Sequence, residues 1–316
     1  MTGLQQNNRV VYAMGETVLD LVSDGGYTMK VIPGGSVLNA SVSLGRMGTE
    51  IFLLSEFGGD KAGDLIEVFL TQNKVHTDFC IRSTAHKTSL ALAFMDEFKK
   101  ASYSFYIDSP EKLVHNSLPG FTKDDFLLFG SFYSVKSDRK DFVLETLSKA
   151  VKANATIYYD LNFRSSHAGE LESLLPVYMN NISASTIVKG SDEDFYNLFR
   201  LTDPAEIYDF IKPYCKVLII TRGSEPLYVL TPTYIKTYKV PSIRPVSTIG
   251  AGDNFNAGFI FGLSRTSIRS DSIESISETD LDRITGCGLA FATETCLSED
   301  NYVRGNFDAD FWKKYI

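Results

Sequence analysis

Cysteine is scarce: Cys80, Cys215, Cys287 and Cys296 are the only four in 316 residues, with no CxxC pair and no His/Cys spacing suited to zinc. That scarcity excludes a disulfide-stapled scaffold and a cysteine-held metal cluster, and fits a reducing compartment. A basic surplus is also missing. The 31 Lys and Arg stand against 39 Asp and Glu, for a net charge of -8 and a pI of about 5.1. Nothing here marks a partner such as nucleic acid or an anionic membrane. No apolar run approaches a membrane span, and residues 1–9 are polar, without an apolar signal core. A soluble, cytoplasmic protein is expected. The single tryptophan, Trp312, reads as a packing residue. His76, His86, His115 and His167 show no pairing with a nucleophilic Ser or Cys. The Gly-x-x-x-x-Gly-Lys-Ser/Thr phosphate loop is absent too.

What is present is an ordinary core-forming composition, 44% hydrophobic and 22% charged. Residues 10–15 form a short apolar run closed by glycine, read as a buried first strand. Residues 16–32 are strand-prone, with a hairpin break at Ser23-Asp24-Gly25-Gly26. A helix is expected over 36–47, a strand over 51–57 and a helix over 63–73. Two apolar segments flanking 96–100 make 88–107 an antiparallel hairpin rather than a crossover. From 126 onward strands (126–129, 156–160, 185–188, 217–221) alternate with helices (140–153, 169–179, 191–199). Residues 264–279 read as a polar, exposed connection and 289–297 as a helix. This order predicts an α/β fold, a parallel sheet covered by helices, with ligands at the carboxyl ends of its strands.

The most informative segment is Ser247-Thr248-Ile249-Gly250-Ala251-Gly252-Asp253-Asn254-Phe255-Asn256-Ala257-Gly258-Phe259. It reads as a glycine-rich turn opening a helix. The free amides at the helix start favour a phosphate or a developing anion. Asp253, in the first turn, stands beside that anion site as a base. Anion hole plus base is the equipment of phosphoryl transfer to a hydroxyl. The third glycine of a dinucleotide fingerprint is missing, since Phe255 holds its place, which disfavours a dehydrogenase.

Other segments carry weaker signals. Gly34-Gly35-Ser36-Val37-Leu38-Asn39 is either a plain turn or a close approach of backbone to a small ligand, with Asn39 offering donor and acceptor. Asp20, set among Val18, Leu19, Leu21 and Val22, is either a solvent-facing strand residue or a carboxylate reserved for a hydroxyl. In Asp160-Leu161-Asn162-Phe163-Arg164, an extended backbone projects the polar residues to one side, and Arg164 suits a phosphate; a polar loop with a salt bridge is the other reading. Thr221-Arg222-Gly223-Ser224 and Lys189-Gly190-Ser191 follow strands and suit nucleotide contacts.

In this order the segments resemble the ribokinase-like (PfkB-type) carbohydrate kinases over about residues 10–300. The resemblance implies one kinase domain over 1–316, a doubly wound, mostly parallel α/β sheet flanked by helices, with a small β-sheet lid from about 17–32 and 88–107. It implies Asp253 as catalytic base and the amides of Gly250, Ala251 and Gly252 as anion hole. Asp20, Gly34, Gly35 and Asn39 fall at the sugar. Lys189, Thr221 and Gly223 fall at ATP, with Arg164 near the transferred phosphate. Mg2+ is implied as cofactor, and Asp194 stands where the family's Asn-x-x-Glu element organises it indirectly. The family usually has Asp-Thr-Thr before Gly-Ala-Gly-Asp; Ser247-Thr248-Ile249 here predicts a weak or absent monovalent-cation site. An arginine that many fructokinase-like members carry after the second lid strand is missing from Phe105-Tyr106-Ile107-Asp108. The implied activity is fructokinase-like phosphorylation of a sugar hydroxyl. A 2-keto-3-deoxygluconate or nucleoside kinase is the enzymatic alternative. A sugar-binding pseudokinase is the non-enzymatic one, against which Asp253 argues. Implied partners are the sugar, ATP and a second copy of the chain joined through the lid.

Overall fold

The computed structural model describes residues 9–23, 28–95, 101–108, 117–305 and 307; Trp312, His115 and the turns expected at 24–26 and 96–100 lie outside them. In chain order the strands are β1 (Val11–Met14), β2 (Val18–Ser23), β3 (Met29–Gly34), β4 (Ile51–Leu54), β5 (Glu56–Gly58), β6 (Val75–His76), β7 (Ile81–Ser83), β8 (Leu90–Met95), β9 (Ala101–Tyr106), β10 (Phe126–Gly130), β11 (Thr156–Asp160), β12 (Ile187–Ser191), β13 (Val217–Arg222), β14 (Glu225–Leu230) and β15 (Ile235–Tyr238). The α-helices are α1 (Ser36–Arg46), α2 (Lys61–Gln72), α3 (Lys140–Lys152), α4 (Leu171–Ser183), α5 (Asp192–Phe199), α6 (Pro204–Ile211), α7 (Ala251–Ser264) and α8 (Glu278–Cys296).

Nine strands build one sheet in the order β15-β14-β13-β12-β11-β10-β1-β4-β6. From β6 to β13 the pairing is parallel. Every residue of β10 and β11 is buried, as strands covered on both faces require. Alternation splits them between two cores: Phe126 and Leu128 pack with α1, α7 and α8, while Leu127 and Phe129 pack with α3, α4 and α6. The chain leaves β1 toward β4 and later returns to β10 on its other side. The carboxyl ends of β1 and β10 therefore flank a topological switch point, where such sheets bind ligands.

A separate four-stranded sheet, β3-β2-β8-β9, is formed by the segments read as hairpins. Its pairings place Asp20 on one face with Ile32, Ala91 and Phe105, and Leu90 and Leu92 on the other with Leu19 and Leu21. Phe105 and Tyr106 are exposed.

The structure departs from the sequence reading in several places. The strand expected over 51–57 breaks at Ser55, so that β5 pairs with β7 outside the main sheet. β14 and β15 extend the main sheet in antiparallel fashion, after a turn in which Gly223 takes φ 57. The helix expected from 289 begins at Glu278, where the Ser277 side chain accepts from the Asp280 amide. The polar run read as an exposed connection thus ends in a helix cap, and buries Ile273 and Ile276 on the way. α8 holds α7 closely: a Cβ at Gly258 would lie 2.3 Å from the Cys287 carbonyl oxygen. This contact seats the helix that carries Asp253.

Candidate active site

Asp253 occupies the first turn of α7, and Gly250 caps that helix at φ 78. The left-handed conformation suits glycine, and a Cβ there would also lie 2.7 Å from the Asn301 carbonyl oxygen. Thr248 accepts from the Ala251 amide at 3.3 Å, a long turn bond. The first amides of α7 have no acceptor within the helix and sit at its positive end. That end of α7 is electropositive.

Helix α1 supplies the other side of Asp253. Ser36 Oγ donates to Asp253 Oδ1 at 2.6 Å, and Asn39 Nδ2 donates to Oδ2 at 2.9 Å. The three-residue spacing puts both donors on one helix face. Gly35, at φ 131, starts α1 while its α-carbon nearly touches the Glu16 carbonyl, since a Cβ would come within 2.3 Å. Burial raises the Asp253 carboxyl above its ordinary value; the Ser36 and Asn39 bonds oppose this, and the charge of Asp160 adds to it. The result is a carboxylate held in one orientation with increased proton affinity.

From the middle of β12, Lys189 Nζ donates to Asp160 at 3.1 and 3.2 Å. Both side chains are buried. Burial alone lowers the lysine, but the charges of Asp160 and Asp194 outweigh it and leave the ammonium raised. A Cβ at Gly252 would lie 3.2 Å from that Nζ, so the ammonium stands against the anion turn. Asp160 is further held by Asn256 Nδ2 at 2.6 Å, and Asn256 accepts from the Tyr158 hydroxyl at 3.0 Å.

Lys189, Arg164, Thr221, Asp194 and Gly252 line one cleft of about 280 Å3, together with Asn162 and Glu193. Gly223 sits in the adjacent β13–β14 turn and is not among the residues lining the cleft. The extended backbone expected over 160–164 is interrupted: Asn162 takes φ 38. Asp160 is bonded to Lys189, while Asn162 and Arg164 line the cleft. Asp194 spends its carboxylate on the chain. It accepts from the Phe163 amide at 2.8 Å and from the Ser191 amide and hydroxyl at 2.7 and 2.8 Å. Among the described residues no group of three His, Cys, Asp or Glu is arranged to hold a metal. Glu193 and Asp194 are the acidic side chains lining this cleft, and three hydrogen bonds already engage the Asp194 carboxylate.

Between the paired strands β2 and β3, Gly34 lies against Asp20, where any Cβ would meet the carboxylate at 2.2 Å. Burial pushes the Asp20 carboxyl up to about 6. Glu16, just after β1, accepts from the Ser131 hydroxyl, just after β10, across the switch point. Burial raises the Glu16 carboxyl, against the Ser131 bond and the Arg164 charge. Ser131 itself takes φ 56, a strained conformation of the kind that collects at ligand sites.

Glu16, Ser36, Ser131, Asp160, Asn254 and Asn256 were not singled out as site residues from the sequence. Ser36-x-x-Asn39-x-x-x-Ser43, polar at helical spacing in an apolar helix, was a usable signal. The Glu16–Ser131 contact, between residues 115 positions apart, left none.

The family model described as pfkB family carbohydrate kinase matches residues 10–300. A fructokinase of Vibrio alginolyticus is 22% identical over 287 residues, covering 90% of this chain and 93% of its own length. An aminoimidazole riboside kinase of Salmonella typhimurium is 24% identical over 289 residues, covering 90% of this chain and 89% of its own. Among solved structures, fructokinase from Vibrio cholerae O395 in its fructose, ADP and calcium ion bound form shares the fold with a TM-score of 0.82, at 20% identity over 97% of this chain and 98% of that one.

Proposed function

This chain belongs to the pfkB carbohydrate kinase family, and on that premise we propose that it transfers the γ-phosphoryl group of ATP to a hydroxyl of a neutral ketohexose such as fructose. ATP-dependent carbohydrate kinase activity follows from the family and its relatives. The observation that carries the finer reading is Asp253, oriented by Ser36 and Asn39 beside the Gly250–Gly252 turn.

In this reading Asp253 accepts the proton of the attacking hydroxyl. The hydroxyl oxygen forms a bond to the γ-phosphorus, the bond from that phosphorus to the bridging oxygen breaks, and ADP leaves. The amides of Gly250, Ala251 and Gly252, the positive end of α7 and the Lys189 ammonium meet the charge on the transferred group. Arg164 and Thr221, along the same cleft, attend the nucleotide phosphates, with Gly223 beside them. Mg2+ would neutralise phosphate charge there.

Asp20, Gly34, Gly35 and Asn39 frame the acceptor. With Asp20 assigned to the acceptor, the neighbouring carboxylates Glu16 and Asp253 oppose an acidic sugar and support a neutral polyol. Specificity constants for fructose, ribose, 2-keto-3-deoxygluconate and adenosine test this. Fructose is expected to lead; a tenfold preference for another acceptor overturns the sugar and leaves the kinase standing. The exposed Val31, Phe94, Phe105 and Tyr106 of the small sheet support its role as a lid that pairs with a second copy of the chain.

Asp20 gives the sugar site a pH dependence. Only the ionised carboxylate accepts from hydroxyls on both oxygens. Sugar affinity is therefore full above about pH 6 and falls as the pH drops through it. The stability contribution has the opposite sign. The folded value lies above the ordinary 3.8, so the contribution is fully present below that value and lost as pH rises through about 6. Calorimetric sugar Kd values between pH 5 and 7 should weaken toward acid in the wild type and stay level in Asp20→Asn. A level wild-type profile overturns the assignment.

Potassium is expected to matter little. Ser247 replaces a carboxylate, and its Oγ accepts from the Ile249 amide at 3.2 Å. A hard cation prefers charged oxygens. Saturable, many-fold activation by potassium at constant ionic strength would contradict this.

A further inference from the structure

Asn254, the residue after Asp253, is fully buried, and its three hydrogen bonds join three separate stretches of chain. Its Nδ2 donates to the Gly250 carbonyl at 2.8 Å and to the Asn301 carbonyl at 2.7 Å. Its Oδ1 accepts from Ser43 Oγ. Ser43 in turn accepts from the Val303 amide at 3.0 Å. Both donors of the amide and the oxygen opposite them are in use.

The geometry matters because of where the ends lie. Gly250 is the cap of the anion turn, in the left-handed conformation and pressed against Asn301. Ser43 stands four residues after Asn39 on the same face of α1, the face that also carries Ser36. One polar stripe of α1 therefore holds two neighbouring residues of α7: Ser36 and Asn39 hold the carboxylate, and Ser43 holds the amide. Without the Asn254 donors, the Gly250 and Asn301 carbonyls would face each other across a buried gap, with only the α7 backbone bond left to Gly250.

We propose that Asn254, oriented by Ser43, is a positioning residue for phosphoryl transfer: it sets the Gly250–Gly252 turn in register with the acceptor side of the site. This rests on the reading that the turn receives the transferred group. An amide clamp acts through the turn and touches neither substrate. A shift of the turn by a fraction of an ångström weakens bonds made to the transferring phosphoryl group, while the sugar contacts of α1 and the small sheet stay in place.

The test compares Asn254→Ala, Ser43→Ala and Asp253→Asn with the wild type, each checked for folding by thermal melting. Asn254→Ala is expected to lose ten- to a hundredfold in kcat, with KM and calorimetric Kd for fructose within about twofold of wild type. Ser43→Ala leaves both amide donors in place and should lose about two- to fivefold in kcat with the same unchanged sugar affinity. A folded Asn254→Ala protein with kcat within twofold of wild type overturns the proposal. So does an equal loss in sugar affinity, which marks a general loss of structure. If Asn254→Ala fails to fold, Ser43→Ala decides: unchanged kcat overturns the clamp. Asp253→Asn separates the two levels, because near-normal turnover in that variant sinks the reading of the site itself rather than the clamp.

Discussion

Asp253→Asn should slow turnover by roughly a hundredfold to ten-thousandfold, the range spanned by loss of a positioned general base. The substitution keeps size and shape. Ser36 can turn its hydroxyl to remain bonded, so the anion turn and α1 should hold their places. ATP and sugar Kd values are then expected to change only a few-fold, and the loss should fall on kcat. The wild-type kcat should also show an acid limb that the variant lacks. Burial raises the Asp253 carboxyl, so this limb lies at higher pH than for an ordinary aspartate, and activity is lost as pH falls through it. Saturated turnover near the wild-type rate would remove Asp253 from the mechanism.

Lys189→Met has the largest expected effect on stability. The Lys189–Asp160 pair is buried, with Nζ–O distances of 3.1 and 3.2 Å. Methionine fills similar volume but leaves Asp160 with the neutral Asn256 amide and no opposing charge. Breaking a buried pair from one side costs about 3–5 kcal/mol, which corresponds to a fall in Tm of roughly 5–15 °C. Turnover should drop as well, on the order of a hundredfold, because the ammonium abuts Gly252 of the anion turn. The double variant Lys189→Met/Asp160→Asn separates the two effects. It removes the stranded charge, so most of the Tm should return while kcat stays low. A double variant with wild-type turnover would leave Lys189 as a structural ion pair alone.

Asn162 and Ser131 show why part of the site escaped a sequence reading. Each is a common polar residue in a loop, and each takes a positive φ. Nothing in composition or spacing distinguishes them from residues in ordinary turns. Gly250-Ala251-Gly252-Asp253 is the opposite case. Its meaning is local: left-handed backbone, uncovered amides and a first-turn carboxylate all follow from four adjacent residues. The strands after residue 126 were legible for a similar reason, since continuous apolar runs of strand length between helical periods have one good solution, a covered parallel sheet.

Sequence alone thus determined the parallel sheet covered by helices, the strands of the small second sheet and the glycine turn with a carboxylate in the helix's first turn, because apolar periodicity and turn chemistry act between residues a few positions apart. Tertiary structure alone decided the partners: Ser36 and Asn39 on Asp253, Lys189 on Asp160, Ser131 on Glu16, and the Asn254 bridge between Gly250 and Asn301. Those contacts join residues that strand order and helix packing bring together from distant parts of the chain. A buried polar group must find a partner or bear several kcal/mol of desolvation, but which partner it finds depends on the crossing of α1, α7 and the strand ends, which no local pattern encodes.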